Sequence, residues 1–361
     1  MGMKIGIITF HSSYNFGSAL QAQALIKTLQ GLGHDPTIID YRSRDFDQYL
    51  LLTPRHPRQS LKVLKRLPRY LRRKKAFERF MERYLQLTDR RYTYENESAL
   101  DELQDQFDCF ICGSDQIWNL DATHGVVEPF FLSFAGDTRR VAYAPSLAHM
   151  SFRPEYFDKE KVSELLGRFE AISVREGETV GLFQPLVAKK IQVTLDPTML
   201  LDASDYTPMT SAEPCEGRPY VFVYLLRDCP ELVASASVLA GRGGTRVLYV
   251  SDDDLPIPNS QNLLGIGPEE FVSLVAHAEA VLTNSFHATV FSLKFHRPFR
   301  TFANDKSSSR MRDLLGELGV EVCLTTDVDV SPLARPDWDD VDRRVATLRQ
   351  GSLRFLREAL S

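Results

Sequence analysis

Long hydrophobic runs are missing from this sequence of 361 residues. No run approaches the roughly 20 apolar residues that a membrane-spanning helix needs. The first residues lead directly into a strand-like segment instead of a basic and apolar leader. Hydrophobic residues make up 43% and charged residues 25% of the chain, the ordinary balance of a globular protein. We therefore expect a cytoplasmic protein that is long enough for two domains.

Cysteine is scarce, with five residues in the chain. Cys109 and Cys112 match the redox spacing C-x-x-C, but residues three apart in a strand point to opposite faces. A buried strand is therefore the favoured interpretation of this pair. Cys215, Cys229 and Cys323 are scattered and show no metal-ligand spacing. We expect neither a disulfide nor a metal site.

Positive charge is concentrated in one segment, although the formal net charge is -5. Residues 55–91 carry 14 Lys or Arg against three acids, and leucines and aromatic residues recur between them at helical spacing. Two amphipathic helices broken at Pro68 would produce this pattern. One interpretation is peripheral contact with an anionic membrane or a lipid-linked precursor, and the other is a pair of core-covering helices with solvated basic faces. No reader motif for nucleic acid accompanies the charges.

Short apolar strands alternate with helical segments along both halves of the chain, which predicts α/β domains with doubly wound, mostly parallel sheets. A polar stretch from Ala203 to Pro219 interrupts the pattern and predicts a domain boundary. The expected division is a first domain over 1–202 with a basic helical insertion at about 55–91, a second domain over 203–338, and a terminal helix over 339–361 that packs on one or both domains.

Polar residues follow four of the predicted strands. Ligands of such folds bind at the carboxyl ends of the strands, and we expect the two domains to face each other across one cleft. In "FHSSYNFGSALQA", Asn15, Phe16 and Gly17 lie at a strand-to-helix turn that could bind a sugar hydroxyl or an anion. The alternative is a plain turn with Ser18 capping the helix. The motif G-x-G-x-x-G is absent, so a dinucleotide is not indicated.

In "CGSDQIWN", Gly113 and Ser114 could let a ligand approach the backbone, and Asp115 could accept a proton from a sugar hydroxyl. Trp118 could stack on a sugar face. The alternative is that Ser114 or Asp115 caps the next helix and that Trp118 belongs to the core.

Three arginines are candidates for binding an anionic donor. Arg175 follows the strand "AISV", and its planar guanidinium suits a carboxylate or a phosphate. A salt bridge to Glu176 or Glu178 is the alternative. Arg310 and Arg312 lie near a helix start, where a solvated first turn is equally compatible with the pattern.

The segment "TNSFHATVFSL" places Asn284, Ser285 and His287 between a buried strand and a helix. An imidazole has an ordinary pKa near 6.5, and a positioned general acid contributes about 10² to 10⁴ in rate. His287 is therefore the leading candidate for proton transfer, and a core histidine is the alternative interpretation.

Taken together, five segments resemble the polysaccharide pyruvyl transferase family. They occur in the order "GIITFHSSYNFGSALQAQAL", "FDCFICGSDQIWN", "AISVREGET", "LDPTMLL" and "VLTNSFHATVFSLKFHRPF", and the resemblance covers roughly residues 3 to 320. It implies two Rossmann-like domains arranged as in GT-B glycosyltransferases. It also implies transfer of a pyruvyl group from phosphoenolpyruvate onto a sugar of a glycan or lipid-linked acceptor as a ketal, without a cofactor or metal.

The resemblance implies roles for the candidate residues. His287 would be the catalytic acid, and Arg175, Asn284 and Ser285 would bind the donor with Arg310 or Arg312. The acceptor would be oriented by Asp115 or Asn15.

Two positions depart from the family pattern. Better-understood branches have an arginine at the place of Ser285, and often a glycine at the place of Ala288. Two rival hypotheses remain open: a GT-B glycosyltransferase that uses a nucleotide sugar, and a non-catalytic glycan-binding relative.

Overall fold

The computed structural model describes residues 2–43, 57–148, 153–210, 217–241, 245–303, 308–328 and 333–361. Its strands are β1 (Lys4–Ile8), β2 (Asp35–Ile38), β3 (Tyr41–Arg42), β4 (Tyr92–Thr93), β5 (Cys109–Cys112), β6 (Arg139–Ala142), β7 (Ala171–Val174), β8 (Ile191–Val193), β9 (Tyr220–Tyr224), β10 (Arg246–Val250), β11 (Ser260–Asn262), β12 (Ala280–Thr283), β13 (Phe299–Phe302) and β14 (Leu324–Thr325). Its helices are α1 (Phe16–Gly31), α2 (Pro57–Tyr84), α3 (Lys159–Gly167), α4 (Gly177–Phe183), α5 (Pro230–Gly241), α6 (Pro268–His277), α7 (Phe286–Lys294), α8 (Ser308–Glu317) and α9 (Trp338–Ala359). Short 3-10 helices lie at Glu97–Leu103, Glu128–Phe131, Pro154–Tyr156, Gln184–Leu186, Pro197–Met199, Ala203–Met209 and Glu321–Cys323.

Two compact units divide the chain. Unit 1 comprises Met1–Thr53, Met81–Leu201 and Thr347–Ser361, and unit 2 comprises Pro54–Phe80 and Asp202–Ala346. The sheet of unit 1 has the strand order β2-β1-β5-β6-β7-β8, and all its pairings are parallel. The sheet of unit 2 has the order β11-β10-β9-β12-β13-β14 and is likewise parallel. The expected α/β class with doubly wound sheets is therefore confirmed.

Helix α1 illustrates how the sequence forms these layers. It begins after Asn15, whose side-chain oxygen accepts hydrogen bonds from the backbone of Gly17 and Ser18. It ends at Gly31 and is followed by Gly33, which has a φ of 91°. A glycine at this place adopts the left-handed backbone that closes many helices. The helix is buried along most of its length, as expected for a layer that covers a parallel sheet.

The basic segment departs from its expected place and shape. Residues 54–80 group with unit 2, whereas we expected the segment in the first domain. The expected break at Pro68 is wrong, because α2 continues through this residue as one helix. A proline inside a helix costs about 3 kcal/mol. Ala76, Phe77 and Phe80 are buried, and this apolar packing helps to offset the cost.

Ion pairs with acidic residues elsewhere in unit 2 take up much of the positive charge on α2. Arg66 lies 3.2 Å from Asp253 and 3.4 Å from Asp254, and Arg73 lies 3.5 Å from Asp252. Further pairs join Arg69 to Asp254 and Arg72 to Glu270. The positive surface is consequently smaller than the sequence alone indicates.

Close packing also holds α2 on unit 2. A Cβ atom on Gly267 would lie only 2.7 Å from the Cβ of Ala76, so the glycine permits this approach. Membrane contact by the basic segment remains an unsupported prediction. None of the described helices is both long and apolar enough to span a bilayer.

The predicted terminal helix is α9. Its residues from Thr347 onward belong to unit 1, and those up to Ala346 belong to unit 2. Within unit 1, the Ser352 hydroxyl accepts a hydrogen bond from the Leu195 backbone at 2.9 Å. Arg349 donates to the backbone oxygens of Met199 and Leu201. These contacts attach the helix to the segment "LDPTMLL".

The C-x-x-C pair lies in β5, where Cys109 and Cys112 are both fully buried free thiols. Burial raises the pKa of Cys109 to about 12 and that of Cys112 well above its ordinary value. A thiol with a raised pKa holds little nucleophilic thiolate at neutral pH. The buried-strand interpretation is confirmed, whereas Cys215 lies outside the described residues.

Candidate functional site

The strand order places a topological switch point in each unit. In unit 1 the neighbours of β1 are β2 on one side and β5 on the other, and in unit 2 the neighbours of β9 are β10 and β12. Loops leaving such a point diverge and open a crevice at the carboxyl edge of the sheet. Asn15 and Asp115 follow β1 and β5, and His287 follows β12. The candidate residues therefore lie where the fold provides a binding position within each unit.

Gln21 organises the crevice of unit 1, and the sequence interpretation missed it. Its side-chain amide donates to the Thr9 hydroxyl at 3.0 Å and accepts from the Ser114 backbone at 3.1 Å. The Thr9 hydroxyl in turn donates to the Ser114 carbonyl at 3.0 Å. These bonds join the loops after β1 and β5. A glutamine on the apolar face of α1 was the available signal, because a fully buried amide needs hydrogen-bond partners.

Asp115 lies beside the start of α1. It has a φ of 66° and is 6% exposed. One carboxylate oxygen accepts from the Ser18 hydroxyl, and the other accepts from the Gln116 backbone at 2.9 Å. Ser18 is thus a partner of Asp115, and the N-cap of α1 is Asn15. A carboxylate accepts about four hydrogen bonds, so Asp115 keeps capacity for a ligand hydroxyl.

Arg175 forms a buried ion pair within unit 1. Its Nη2 lies 2.7 Å from Asp196 Oδ2, and the two side chains are 3% and 0% exposed. The same nitrogen donates to the Ser114 hydroxyl at 2.6 Å. Asp196 also caps the turn at Pro197–Met199 by accepting from the Thr198 backbone. The alternative of a salt bridge was correct in kind, but the partner is Asp196 instead of Glu176 or Glu178.

Three of the predicted acceptor contacts do not fit the structure. Phe16 and Trp118 are both fully buried, and the indole of Trp118 stacks on Phe131 and donates to the Phe130 carbonyl. Neither ring can stack on a sugar, because the protein core already covers it. Gly113 has a φ of 114°, and a Cβ there would lie 2.1 Å from the Tyr143 carbonyl oxygen. Its neighbour is therefore protein backbone, not a ligand.

Gly17 and Asn15 have structural roles at the helix start. The Gly17 backbone donates to the Asn15 side-chain oxygen at 2.8 Å, so both residues take part in the cap of α1. Binding of an acceptor at these two residues stays a prediction.

A buried histidine after β1 also escaped the sequence interpretation. His11 is 1% exposed, with Nδ1 3.1 Å from the Thr9 carbonyl and Nε2 3.1 Å from Asp40. Both neighbours are acceptors, so both contacts are hydrogen bonds only when both ring nitrogens carry hydrogen. Burial alone would raise the pKa of Asp40, but His11, Arg42 and Arg91 hold it well below its usual range. The polar run "HSSYN" directly after a strand was the signal.

Asn284 joins two loops at the carboxyl edge of the unit 2 sheet. Its side-chain oxygen accepts from the Leu226 backbone at 2.8 Å, and its amide nitrogen donates to the Arg227 carbonyl at 2.7 Å. The residue thereby holds the loop after β9 beside the end of β12. This geometry makes Asn284 a positioning residue for the segment that carries His287.

Helix α7 begins at this edge of the sheet. Ser285 is its N-cap, and the Ser285 hydroxyl accepts from the Ala288 backbone. His287 lies in the first turn and is 7% exposed. The amino end of a helix favours negative charge, because its first backbone N–H groups point outward. A phosphate or carboxylate near His287 would be stabilised by this position.

Arg310 lies close to the same segment, whereas Arg312 does not share its environment. The Arg310 guanidinium carbon is 5.4 Å from the centre of the Phe286 ring, and the residue is 6% exposed. The His287 ring packs edge-on to Phe286 with centres 5.3 Å apart. Arg310 and His287 therefore contact one aromatic ring. Arg312 is exposed on α8.

Comparison with solved structures shows the fold. The chain is similar to a UDP-GlcNAc 2-epimerase from Neisseria meningitidis bound to UDP-GlcNAc, with a TM-score of 0.51 and 12% identity. The match covers 99% of this chain and 94% of the other. An alpha-glucosyltransferase in complex with UDP is similar over 99% of this chain and 95% of the other, with a TM-score of 0.52 and 10% identity. The predicted similarity of the fold to that of GT-B glycosyltransferases is confirmed, and identities this low show nothing about the reaction.

Sequence comparison gives the family. Among curated proteins, none matches this sequence. The family model described as polysaccharide pyruvyl transferase matches residues 15–306. This range includes every candidate residue from Asn15 to His287. Because this match covers most of the chain, the protein belongs to the polysaccharide pyruvyl transferase family.

Proposed function

We propose that the protein transfers a pyruvyl group from phosphoenolpyruvate to a sugar of a cell-surface polysaccharide or its precursor, with formation of a ketal. The observation that carries the proposal is the pairing of His287 and Arg310 around the Phe286 ring, at the switch point of the unit 2 sheet. Family membership supports the transfer of a pyruvyl group, and the pair supplies a proton donor and a cation.

The reaction needs one proton at carbon. His287 gives a proton to the methylene carbon of phosphoenolpyruvate, which becomes a methyl group and leaves the adjacent carbon cationic. Two sugar hydroxyls add to that carbon, and its bond to the phosphate oxygen breaks. The hydroxyls release two protons: one restores His287, and the other is taken up by Asp115 and then leaves with the phosphate.

The cationic groups stabilise the negative donor. Arg310 takes the place of the arginine that is missing at Ser285, because its guanidinium lies over the residue next to Ser285. The amino end of α7 adds its backbone N–H groups toward the phosphate. Asn284 positions the loop, as its two backbone hydrogen bonds support.

Unit 1 would bind the acceptor. Asp115 is the proposed acceptor of a proton from a sugar hydroxyl, since its two present partners donate to the carboxylate and leave it room to accept further hydrogen bonds. The ion pair of Arg175 with Asp196 supports a positioning role for Arg175 better than direct contact with the donor.

The proposal is tested by incubating the purified chain with phosphoenolpyruvate and candidate glycans. Phosphate release together with a new ketal methyl signal in the NMR spectrum is the expected result. Transfer from a nucleotide sugar without that signal would favour the glycosyltransferase hypothesis. If neither reaction occurs with any glycan while glycan binding is retained, the result would favour a non-catalytic relative.

A substitution tests the acid. His287→Ala should lower turnover by about 10² to 10⁴, the usual contribution of a general acid. His277→Ala is the matched control, because this half-buried histidine lies at the far end of α6 and bonds to the Ser273 carbonyl. Retention of more than about a tenth of wild-type turnover by His287→Ala contradicts the assignment.

A further inference from the structure

Unit 1 contains a cavity of about 920 Å³ that none of the proposed transfer residues lines. Its lining residues fall within 94–101, 123–129 and 133–134, together with Tyr41, Ser43 and Arg168. The volume falls within the range of about 300 to 1,000 Å³ that is usual for small-molecule sites. We infer that this cavity is a second saccharide-binding site, for an oligosaccharide of neutral or amino sugars.

The apolar part of the lining suits the carbon faces of sugar rings. Val126 and Val127 are half-buried and contribute non-polar surface, and Tyr94 adds a half-buried aromatic ring. Aromatic rings provide a flat apolar face together with a polar edge. A ligand with alternating hydroxyl and C–H surfaces matches this combination better than a wholly apolar ligand.

The polar part of the lining combines hydroxyl groups with three carboxylates. Glu97, Asp101 and Glu128 supply carboxylates. The Tyr41 hydroxyl donates to Glu97, which fixes the orientation of that carboxylate. Ser43 lines the same cavity and is 5% exposed. Carboxylates accept several hydrogen bonds each, so they suit a ligand that presents many hydroxyl or ammonium donors.

The charge of the lining selects against anions. The three carboxylates lie with one histidine, His124, and one arginine, Arg168, whose guanidinium is already bound to Glu164. Lys161 lies 3.0 Å from Glu128 and balances only that acid. A phosphorylated sugar or a uronic acid would meet like charge here, and like charges in contact disfavour binding. The acidic lining thus distinguishes this cavity from the segment at His287, which lies near Arg310.

The inference goes beyond the proposed transfer reaction. A second site would hold part of a glycan chain away from the residues that react. Binding at the cavity is measured without phosphoenolpyruvate, so it can fail or succeed independently of pyruvyl transfer.

The test is titration calorimetry of the full chain with three sets of short oligomers: β-1,4-linked glucosamine, its N-acetylated form, and galacturonic acid. We expect binding of the first two and weaker or undetectable binding of the third. Asp101→Arg should weaken binding by about tenfold or more, because it places a long cationic side chain at the cavity wall. Asp105→Arg is the matched control, since Asp105 is equally exposed near the same 3-10 helix and does not line the cavity.

Several outcomes would overturn the inference. These are no binding of any oligomer, preferred binding of galacturonic acid, or equal binding by wild type and Asp101→Arg. Ser98→Trp provides a second variant, because Ser98 is exposed at the cavity and a bulky ring there should obstruct a saccharide. Loss of binding in His287→Ala would show that the oligomers occupy the transfer site instead. Retained binding in a chain that shows no pyruvyl transfer would leave this inference standing and reject only the proposed function.

Discussion

The crevices of the two units occupy the same topological position but use their polar side chains differently. In unit 1, charged groups are neutralised by partners in the same unit: Arg175 pairs with Asp196, and Asp40 meets His11 and two arginines. In unit 2, the strand-end segment brings an imidazole and a guanidinium to one aromatic ring. A polar residue after a strand is thus a reliable guide to the crevice, whereas its role depends on what it meets there.

The largest effect on stability is expected from breaking the buried ion pair of Arg175 with Asp196 in unit 1. Asp196→Asn should lower the free energy of unfolding by about 3–5 kcal/mol, because it leaves the buried guanidinium of Arg175 without a counter-charge. The asparagine oxygen can still cap Thr198. Urea unfolding of the variant measures the loss.

Two further variants sharpen this result. The double variant Arg175→Met with Asp196→Asn should recover part of the loss, since no buried charge remains. Glu164→Gln breaks the exposed pair with Arg168 and should cost less than about 1 kcal/mol. Equal losses at the buried and exposed pairs would contradict the structural role of Arg175.

In unit 2 the corresponding substitution should affect donor binding more than stability. Arg310→Met should raise the KM for phosphoenolpyruvate by about 10- to 100-fold, as a charge-assisted hydrogen bond contributes about 1.5–3 kcal/mol. Arg312→Met should have the smaller effect, because Arg312 is exposed on the same helix. Steady-state kinetics of both variants decides which arginine replaces the one missing at Ser285, and a larger effect at Arg312 would reverse our assignment.

Asn284 distinguishes positioning from direct donor contact. Asn284→Ala should lower the free energy of unfolding by about 1–3 kcal/mol, because the Leu226 and Arg227 backbone groups lose a partner. Asn284→Asp keeps the acceptor for Leu226 but cannot donate to the Arg227 carbonyl, so it should lose stability as well. Thermal unfolding and turnover are measured together. Loss of turnover at unchanged stability would indicate that Asn284 contacts the donor.

The smallest effect on stability is expected at Asp40 when the pH is lowered into the mildly acidic range. Its folded pKa lies below the unfolded value, so its contribution to stability is complete above the ordinary pKa of 3.8 and is lost as the pH falls through the lower, folded pKa. The difference in unfolding free energy between wild type and Asp40→Asn reports this contribution. Below the ordinary pKa it should shrink. A difference that grows as the pH falls would contradict this sign.

Local patterns predicted the layers of this protein but not all its elements. Short apolar runs indicated the central strands of both sheets, whereas the short edge strands β11 and β14 were missed. Strand β11 has the sequence SQN, and β14 has only two residues, so neither carries a hydrophobic pattern. Edge strands are partly solvated, and burial is what such patterns report.

The candidate site was predictable in position and less so in role. Asn15, Asp115, Arg175 and His287 were identified because polar residues interrupt apolar runs at strand ends. Trp118 was misassigned as a sugar contact because aromatic residues serve both cores and binding sites. Gln21 and His11 were missed, since their partners Ser114 and Asp40 lie far away in the chain.

The sequence by itself determined the parallel α/β class, the strand-end positions of the candidate residues and the family, because periodicity and motifs are local properties of the chain. Only the tertiary structure decided that Asp196 neutralises Arg175, that acids of unit 2 bind the basic helix α2, and that Arg310 reaches Phe286. The physical reason is that a charge interacts with whatever lies within a few ångströms, and the fold sets that distance across many residues.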